Sequence, residues 1–130
     1  MSMRVETMRW SPDHVLELID QRLLPFEIRY VECRSAVDTA RAITDMVVRG
    51  APAIGCAAAF GLALEAACVE RVNRSERERR LSEASGTLRS SRPTAVNLFW
   101  ALDRMDRLWR DARLTDGLAL TQRLRLEATR

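Results

Sequence analysis

The spacing of apolar residues changes near residue 35, from a strand-like to a helical pattern. Residues 3–10 begin by alternating apolar and polar side chains, residues 15–19 are a short apolar run, and residues 26–33 alternate again. Such patterns predict strands. Three short consecutive strands most simply form an antiparallel meander, which we place in residues 1–34.

From Ser35 onward the apolar residues recur at helical spacing. Ser35 followed by Asp38 is typical of a helix N-terminus, and we expect Gly50 to end this first helix in the left-handed conformation. A second helix is predicted from Pro52, because proline suits the first helical position. Since residues 53–63 are mostly small and apolar on every face, this helix should be buried within a bundle.

Three more helices are predicted beyond residue 70. Residues 70–83 carry dense charges of alternating sign, while Leu81, Ala84 and Leu88 mark one apolar face, which is typical of a solvated helix. The next helix should have Pro93 at its first position. Its solvent face is expected to carry two i,i+4 ion pairs, Asp103–Arg107 and Asp106–Arg110. Residues 115–130 are predicted to form the last helix.

These elements predict one α+β domain. The chain has 130 residues, 47% of them hydrophobic, which is enough for a single core. We expect a small three-stranded antiparallel sheet in residues 1–34, followed by a helical bundle in residues 35–130. Together they would form a single N-terminal domain, 1–130, of a larger protein.

Composition limits the classes of function. All 21 basic residues are arginine, which excludes a phosphate-loop lysine, a Schiff base and a lysine general base on this chain. The net charge of +3 is small and its acidic and basic residues are interspersed, so nucleic acid is not an expected partner. Three cysteines without C-x-x-C spacing and one histidine supply no zinc-type ligand set, so no metal is expected.

The chain is expected to be soluble and cytoplasmic. Charged residues interrupt the apolar residues near the N-terminus, so no signal peptide is predicted. The uncharged run 50–64 is shorter than the roughly 20 residues of a membrane span. An odd number of unpatterned cysteines fits a reducing compartment.

Two predicted helix starts lie close behind an arginine. Arg49 precedes Gly50, Ala51 and the Pro52 helix, and Arg92 precedes the Pro93 helix. Unpaired N–H groups and the positive end of the helix dipole make a helix start an anion site, and the arginine fork binds phosphate through two hydrogen bonds. We therefore predict that both starts grip one phosphate. Taken singly, an arginine before a helix is more often half of a surface ion pair than a ligand contact.

Three segments resemble methylthioribose-1-phosphate isomerase. They are residues 20–25 (DQRLLP), 45–55 (DMVVRGAPAIG) and 91–101 (SRPTAVNLFWA), and they follow the order and spacing of that family. The resemblance covers essentially the whole chain. The initiation-factor 2B regulatory subunits share the fold and match less of these motifs.

The resemblance implies conversion of 5-methylthioribose 1-phosphate to 5-methylthioribulose 1-phosphate in methionine salvage. It implies that Arg49, Gly50, Ala51 and Arg92 bind the substrate, that no cofactor is needed, and that the protein is a homodimer. The family's catalytic cysteine and aspartate belong to a Rossmann-like C-terminal domain, and this chain stops before both motifs. We assign no catalytic residue here and expect the chain alone to be inactive.

Two other classes of function stay open. One is a non-catalytic regulatory module of the initiation-factor 2B type, which senses a sugar phosphate or a nucleotide and acts through assembly. The other is a helical dimerisation domain whose apolar surface is completed by the missing half. The sequence beyond residue 130 would distinguish the enzyme from the module.

Overall fold

A three-stranded sheet precedes five helices in residues 8–111 and 117–129, the part of the chain described by this computed structural model. The strands are β1 (Met8–Ser11), β2 (Val15–Ile19) and β3 (Tyr30–Cys33). The helices are α1 (Ala36–Thr44), α2 (Ala51–Cys68), α3 (Arg74–Ser91), α4 (Val96–Trp109) and α5 (Gly117–Ala128). The α+β fold class is confirmed, whereas the division at residues 34 and 35 stays a prediction.

The sheet is an antiparallel meander in the order β1-β2-β3, as predicted. Leu16 of the central strand lies opposite Trp10 on one side and Cys33 on the other. The apolar residues of β2 are all buried, which explains why this strand reads as a continuous apolar run. Residues 3–7 of the first predicted strand lie outside the described residues.

The third strand begins later than its alternating pattern predicted. Residues 26–29 are outside the sheet, and the Phe26 side chain is 95% exposed. The N–H groups of Phe26 and Glu27 both donate to the carbonyl of Leu23, at 3.0 Å each, so this segment closes a turn. The alternation of apolar and polar residues from Phe26 onward therefore predicted a start for β3 that is four residues too early, because residues 26–29 do not pair with another strand.

The first helix begins as predicted but ends before Gly50. Ser35 caps it by accepting a hydrogen bond from the N–H of Asp38 at 3.2 Å. The left-handed residue after the helix is Met46, with φ of 65°. The N–H of Val47 then reaches back to the carbonyl of Ala42 at 3.0 Å, which completes a Schellman motif. The prediction that Gly50 ends α1 is wrong.

Helix α2 forms the centre of the core and packs against the four other helices. Its residues from Ile54 to Ala66 are buried except for Cys56, as expected for a helix that is apolar all round. By length and composition it could also cross a membrane. However, 67% of that 18-residue window is buried inside the fold, as in the core helix of a soluble protein.

Glu65 is a buried acid on α2 that joins three helices. One carboxylate oxygen accepts from the N–H of Ala36 at the start of α1, at 3.2 Å. The other accepts from Arg80 of α3 at 3.1 Å. Its charge is thus balanced and hydrogen-bonded, as burial requires.

Ion pairs join helices α3 and α4, and the sequence did not predict them. The predicted pairs Asp103–Arg107 and Asp106–Arg110 do not form. Instead Arg89 of α3 donates to Asp103 at 2.7 Å and to Asp106 at 2.9 Å. Spacing within one helix cannot reveal that a neighbouring helix offers a nearer partner.

The last helix is confirmed within the described residues. It runs from Gly117 to Ala128, while residues 115, 116 and 130 of the predicted range are outside the description. Leu120 and Leu124 are buried and Leu126 is 59% exposed. Helical spacing therefore determines which leucines of this segment face the core.

Candidate substrate-binding end of the helical bundle

Two connections of the bundle lie at the same end, which we call the arginine end: residues 45–50 and residues 92–95. Helices α1 and α3 finish there, and α2 and α4 start there. The hydroxyl of Thr44 donates to the carbonyl of Ser91 at 3.3 Å, which holds the two connections together. Thr44 and Ser91 are 47 positions apart in sequence, and their contact places Arg49 and Arg92 at one end of the fold.

The start of α2 depends on the backbone of Gly50. This residue is the N-cap with φ of 92° and ψ of 135°, a region that side-chain-bearing residues rarely adopt. Helix α2 begins at Ala51, one residue earlier than predicted, so Pro52 is its second residue and not its first. The missing N–H of proline costs nothing there, because the first four N–H groups of a helix have no internal partner.

The start of α4 differs from its prediction by three residues. Pro93 is not in the helix; it lies in a turn closed by the N–H of Ala95, which donates to the carbonyl of Arg92 at 3.0 Å. The helix begins at Val96. The same fixed φ of proline suits the second position of a β-turn as well as a helix start, so the sequence could not separate the two.

Both helix starts at the arginine end lack a side-chain cap. Gly50 has no side chain and Ala95 has no polar one, so no side-chain hydrogen bond caps α2 or α4. By contrast, Ser35 caps α1 and Asn73 caps α3, at the other end of the bundle. The orphan N–H groups of α2 and α4 therefore have no side-chain partner, and the dipoles of both helices favour an anion at this end.

The two arginines add unpaired positive charge to the same end. Arg49 is exposed and Arg92 is half-buried. Among residues 8–111 and 117–129, no hydrogen bond or ion pair engages either guanidinium group. Some other arginines of the bundle have carboxylate partners, for example Arg79 with Glu83 at 2.6 Å, so an unpaired arginine does not by itself mark a binding site.

The three segments singled out in the sequence contact one another in the fold. The N–H of Gln21 donates to the carbonyl of Val47 at 3.0 Å, which joins the first segment to the second. A methyl group placed on Gly55 would lie 2.9 Å from the carbonyl oxygen of Asn97, so glycine permits the second segment to pack on the third. Thus all three segments support the arginine end.

Asp20 anchors the first segment from inside. It is 3% exposed and accepts from Arg22 Nε at 2.9 Å and Nη2 at 2.8 Å. This hydrogen bond from Arg22 holds the pKa of the Asp20 carboxyl below its usual range. Asp20 is therefore a charged structural cap of the Gln21–Leu23 turn.

The cysteines are poor nucleophiles in this fold. Burial raises the pKa of Cys33 to about 11 and also raises the pKa values of Cys56 and Cys68, so the thiols are protonated at neutral pH. His14 lies in the β1–β2 turn, edge-on to Trp10 with ring centroids 5.7 Å apart. Within the described ranges, no group of three His, Cys, Asp or Glu side chains could hold a metal ion.

Sequence reasoning missed a groove of about 290 Å³ that begins beside the first turns of α2 and α4, at Pro52 and Asn97; neither Arg49 nor Arg92 lines it. Its most prominent residue is Trp100, whose side chain is 70% exposed. Trp100 lies outside the buried apolar stripe of α4 that includes Leu98 and Leu102. A large aromatic residue outside the core stripe was the signal that could have revealed the groove.

Similarity to known proteins identifies the family of this chain. Residues 47–127 match the model of the Initiation factor 2 subunit family. The chain belongs to this family. Its resemblance to methylthioribose-1-phosphate isomerase, inferred from the three segments, is likewise confirmed by similar proteins of that name.

Relatives of that name come from several bacteria. The protein of Alkalilimnicola ehrlichii is 52% identical over 104 residues, which cover 80% of this chain and 30% of the relative. The protein of Pelotomaculum thermopropionicum is 47% identical over 124 residues, which cover 95% and 34%.

Solved structures of both branches of the family superimpose on the fold. The 5-methylthioribose 1-phosphate isomerase of Pyrococcus horikoshii OT3 matches with a TM-score of 0.86 and 37% identity, over 95% of this chain and 34% of that one. Translation initiation factor eIF-2B subunit delta of A. fulgidus matches with a TM-score of 0.86 and 34% identity, over 97% and 36%. The chain therefore spans about a third of the length of its relatives.

Proposed function

We propose that residues 1–130 are the substrate-binding part of an aldose–ketose isomerase that converts 5-methylthioribose 1-phosphate to 5-methylthioribulose 1-phosphate in methionine salvage. One observation carries the proposal: two uncapped helix starts, each preceded by an unpaired arginine, lie at the same end of the bundle. Both belong to the segments that resemble the isomerase.

The phosphate is proposed to bind at the arginine end. Orphan N–H groups of α2 and α4 would donate to its oxygens, with Gly50 and Ala51 letting the anion approach the backbone closely. Arg49 and Arg92 would each add charge-assisted hydrogen bonds, which are about twice as strong as neutral ones. Two arginines and two dipoles match the charge of a phosphate monoester better than either start alone.

The proton transfers of the isomerisation are proposed to use residues outside these 130. The phosphate sits on the anomeric carbon, so the sugar cannot simply open to an aldehyde, and the reaction needs an acid and a base near the ring. The thiols of this chain stay protonated at neutral pH. Its part is therefore to bind and orient the substrate. From the resemblance to the isomerase, we also propose that the protein needs no cofactor and is a cytoplasmic homodimer.

The proposal is tested by assaying the protein expressed from its complete reading frame. Conversion of 5-methylthioribose 1-phosphate to the ketose, followed by NMR, is expected for that protein. No turnover is expected for residues 1–130 alone. An inactive complete protein would reject the isomerase, and an active 130-residue chain would reject the division of labour.

Replacing Arg92 with alanine in the complete protein should lower kcat/KM about tenfold to a hundredfold. This is the effect of losing one charge-assisted hydrogen-bond donor, about 1.5–3 kcal/mol. Arg49→Ala should have an effect of the same order. The matched control is Arg71→Ala, because Arg71 is exposed in the connection between α2 and α3, at the opposite end of the bundle. Unchanged kcat/KM in both Arg49→Ala and Arg92→Ala would reject the phosphate role.

A regulatory module is the second candidate function. The TM-score to eIF-2B subunit delta equals that to the isomerase, so the fold serves both branches. In such a module the arginine end would sense a sugar phosphate or nucleotide rather than prepare it for reaction. Binding of 5-methylthioribose 1-phosphate without turnover by the complete protein would favour this candidate.

A further inference from the structure

The groove beside the arginine end joins two different chemical environments. Pro52 and Asn97 line it at the starts of α2 and α4, and Cys56, Trp100 and Ala101 line it about one helical turn further along. The helix starts offer N–H donors, whereas the next turn presents an indole ring and small apolar groups. A ligand whose anionic group lay at the two helix starts could thus extend along this groove onto an apolar surface.

The far part of the groove carries no free charge among the described residues. Arg104, which lines it, forms an ion pair with Glu127, at 3.1 Å between Nε and Oε1. The Cys56 thiol donates to the carbonyl of Ala128 at 3.6 Å, and burial raises its pKa, so it stays neutral. The charge of Arg104 is thus paired and the Cys56 thiol is hydrogen-bonded, although Arg104 Nε itself has no hydrogen-bond partner among the described residues. The exposed Trp100 ring is the large apolar side chain in this part of the groove.

The distance along α4 from its start to Trp100 is close to the length of the proposed substrate. In 5-methylthioribose 1-phosphate, six covalent bonds join phosphorus to sulfur through the ring oxygen, which places the two atoms roughly 7 Å apart at bond lengths of about 1.5 Å. From Val96 to Trp100 the helix rises about 6 Å. A phosphate at the start of α4 is therefore within one substrate length of the Trp100 ring, so the thioether of a substrate that lies along the groove would reach this ring.

We propose that Trp100 is a specificity-determining residue that receives the methylthio group of the substrate. This inference rests on the proposed function. Thioether sulfur packs favourably against aromatic rings, and the methyl group would leave water on binding. A sugar phosphate without the methylthio group would bind the same anion site and leave the indole ring exposed.

Trp100 is suited to this test because the fold does not depend on it. Its side chain is 70% exposed, whereas Leu98 and Leu102 on the same helix are fully buried. Shortening it should leave the core unchanged. The matched control is Val37→Ala, since Val37 is an apolar residue, 53% exposed, near the start of α1 at the opposite end of the bundle.

The experiment compares two substrates in the complete protein: 5-methylthioribose 1-phosphate and 5-deoxyribose 1-phosphate, which has the same ring and phosphate but lacks the methylthio group. Trp100→Ala should lower kcat/KM about tenfold for the first and less than about twofold for the second, the difference expected for a thioether–aromatic contact and a buried methyl. Trp100→Phe should keep most of the preference. Val37→Ala should change neither value.

Each other result overturns the inference. Equal losses for both substrates would assign Trp100 to packing or to contact with another part of the protein, and no loss for either would leave it without a role in specificity. Its failure is separable from that of the proposed function. Wild-type protein that turns over neither substrate rejects the isomerase itself, whereas active wild type with an unselective Trp100→Ala rejects only the role of Trp100.

Discussion

Asp106→Ala should lower the free energy of unfolding by about 3 kcal/mol, because the substitution strips partners from several buried or half-buried donors. Asp106 is 5% exposed. One carboxylate oxygen accepts from Ser85 and from Arg89, both at 2.9 Å, and the other accepts from the indole N–H of Trp109 at 2.7 Å. Arg89 keeps Asp103, so the loss stays below that of a fully isolated buried charge.

The effect can be measured by urea unfolding, with Asp103→Ala as the control. Asp103 binds the same Arg89, but its side chain is 57% exposed, so its removal should cost less than about 1 kcal/mol. Asp106→Asn, which keeps the size and one acceptor oxygen, should fall between the two. Equal stabilities of the Asp103→Ala and Asp106→Ala variants would contradict the central place of Asp106 in this network.

Gly55→Ala should also cost about 3 kcal/mol, at the upper end of the usual cost of overpacking. The added methyl would lie 2.9 Å from the carbonyl oxygen of Asn97 and 3.3 Å from its carbonyl carbon. These are backbone atoms at the start of α4, which cannot move aside as a flexible side chain can. Helices α2 and α4 would have to separate.

Gly86→Ala is the control for the same chemical change. Gly86 lies inside α3, and a methyl group there would meet nothing within 4 Å. Its replacement should raise the free energy of unfolding by about 0.5–1 kcal/mol, because alanine favours the helix and restricts the unfolded chain. A Gly55→Ala variant as stable as Gly86→Ala in urea unfolding would show that α2 and α4 are not in close contact.

The helical part of the fold was readable from sequence where one property dominated. The uncharged run in α2 predicts a helix buried on every side, and the regular apolar stripe of α4 predicts a helix with one buried side. The predictions failed where two physical solutions share one sequence signal. Pro93 suits both a turn and a helix start, and Met46, not Gly50, takes the left-handed position after α1.

Tertiary partners explain the other differences. Phe26 and Ile28 alternate like strand residues, but alternation cannot say whether a neighbouring strand exists, and both are exposed. Arg89 takes the aspartates that spacing on α4 had assigned to Arg107 and Arg110. Such choices depend on distances between helices, which no single segment encodes.

The sequence indicated which residues form the candidate site, but it indicated only part of their arrangement in space. Local sequence pointed to Arg49 and Arg92 because each stands just before a proline-marked helix start. That both lie at one end follows from the up-and-down path of the helices, which the helix count suggests. The groove at Trp100 needed the structure, because it is formed jointly by α2, α4 and α5.

The helix starts at one end of the bundle have side-chain caps, and those at the other end have none. Ser35 and Asn73 close their helices with the protein's own side chains, at the end remote from Arg49 and Arg92. Under the proposed function, substitutions at that remote end would tune thermal tolerance without altering ligand choice. Under the same proposal, changes near Arg49 and Arg92 would alter the choice of ligand and leave the heat resistance of the scaffold largely intact.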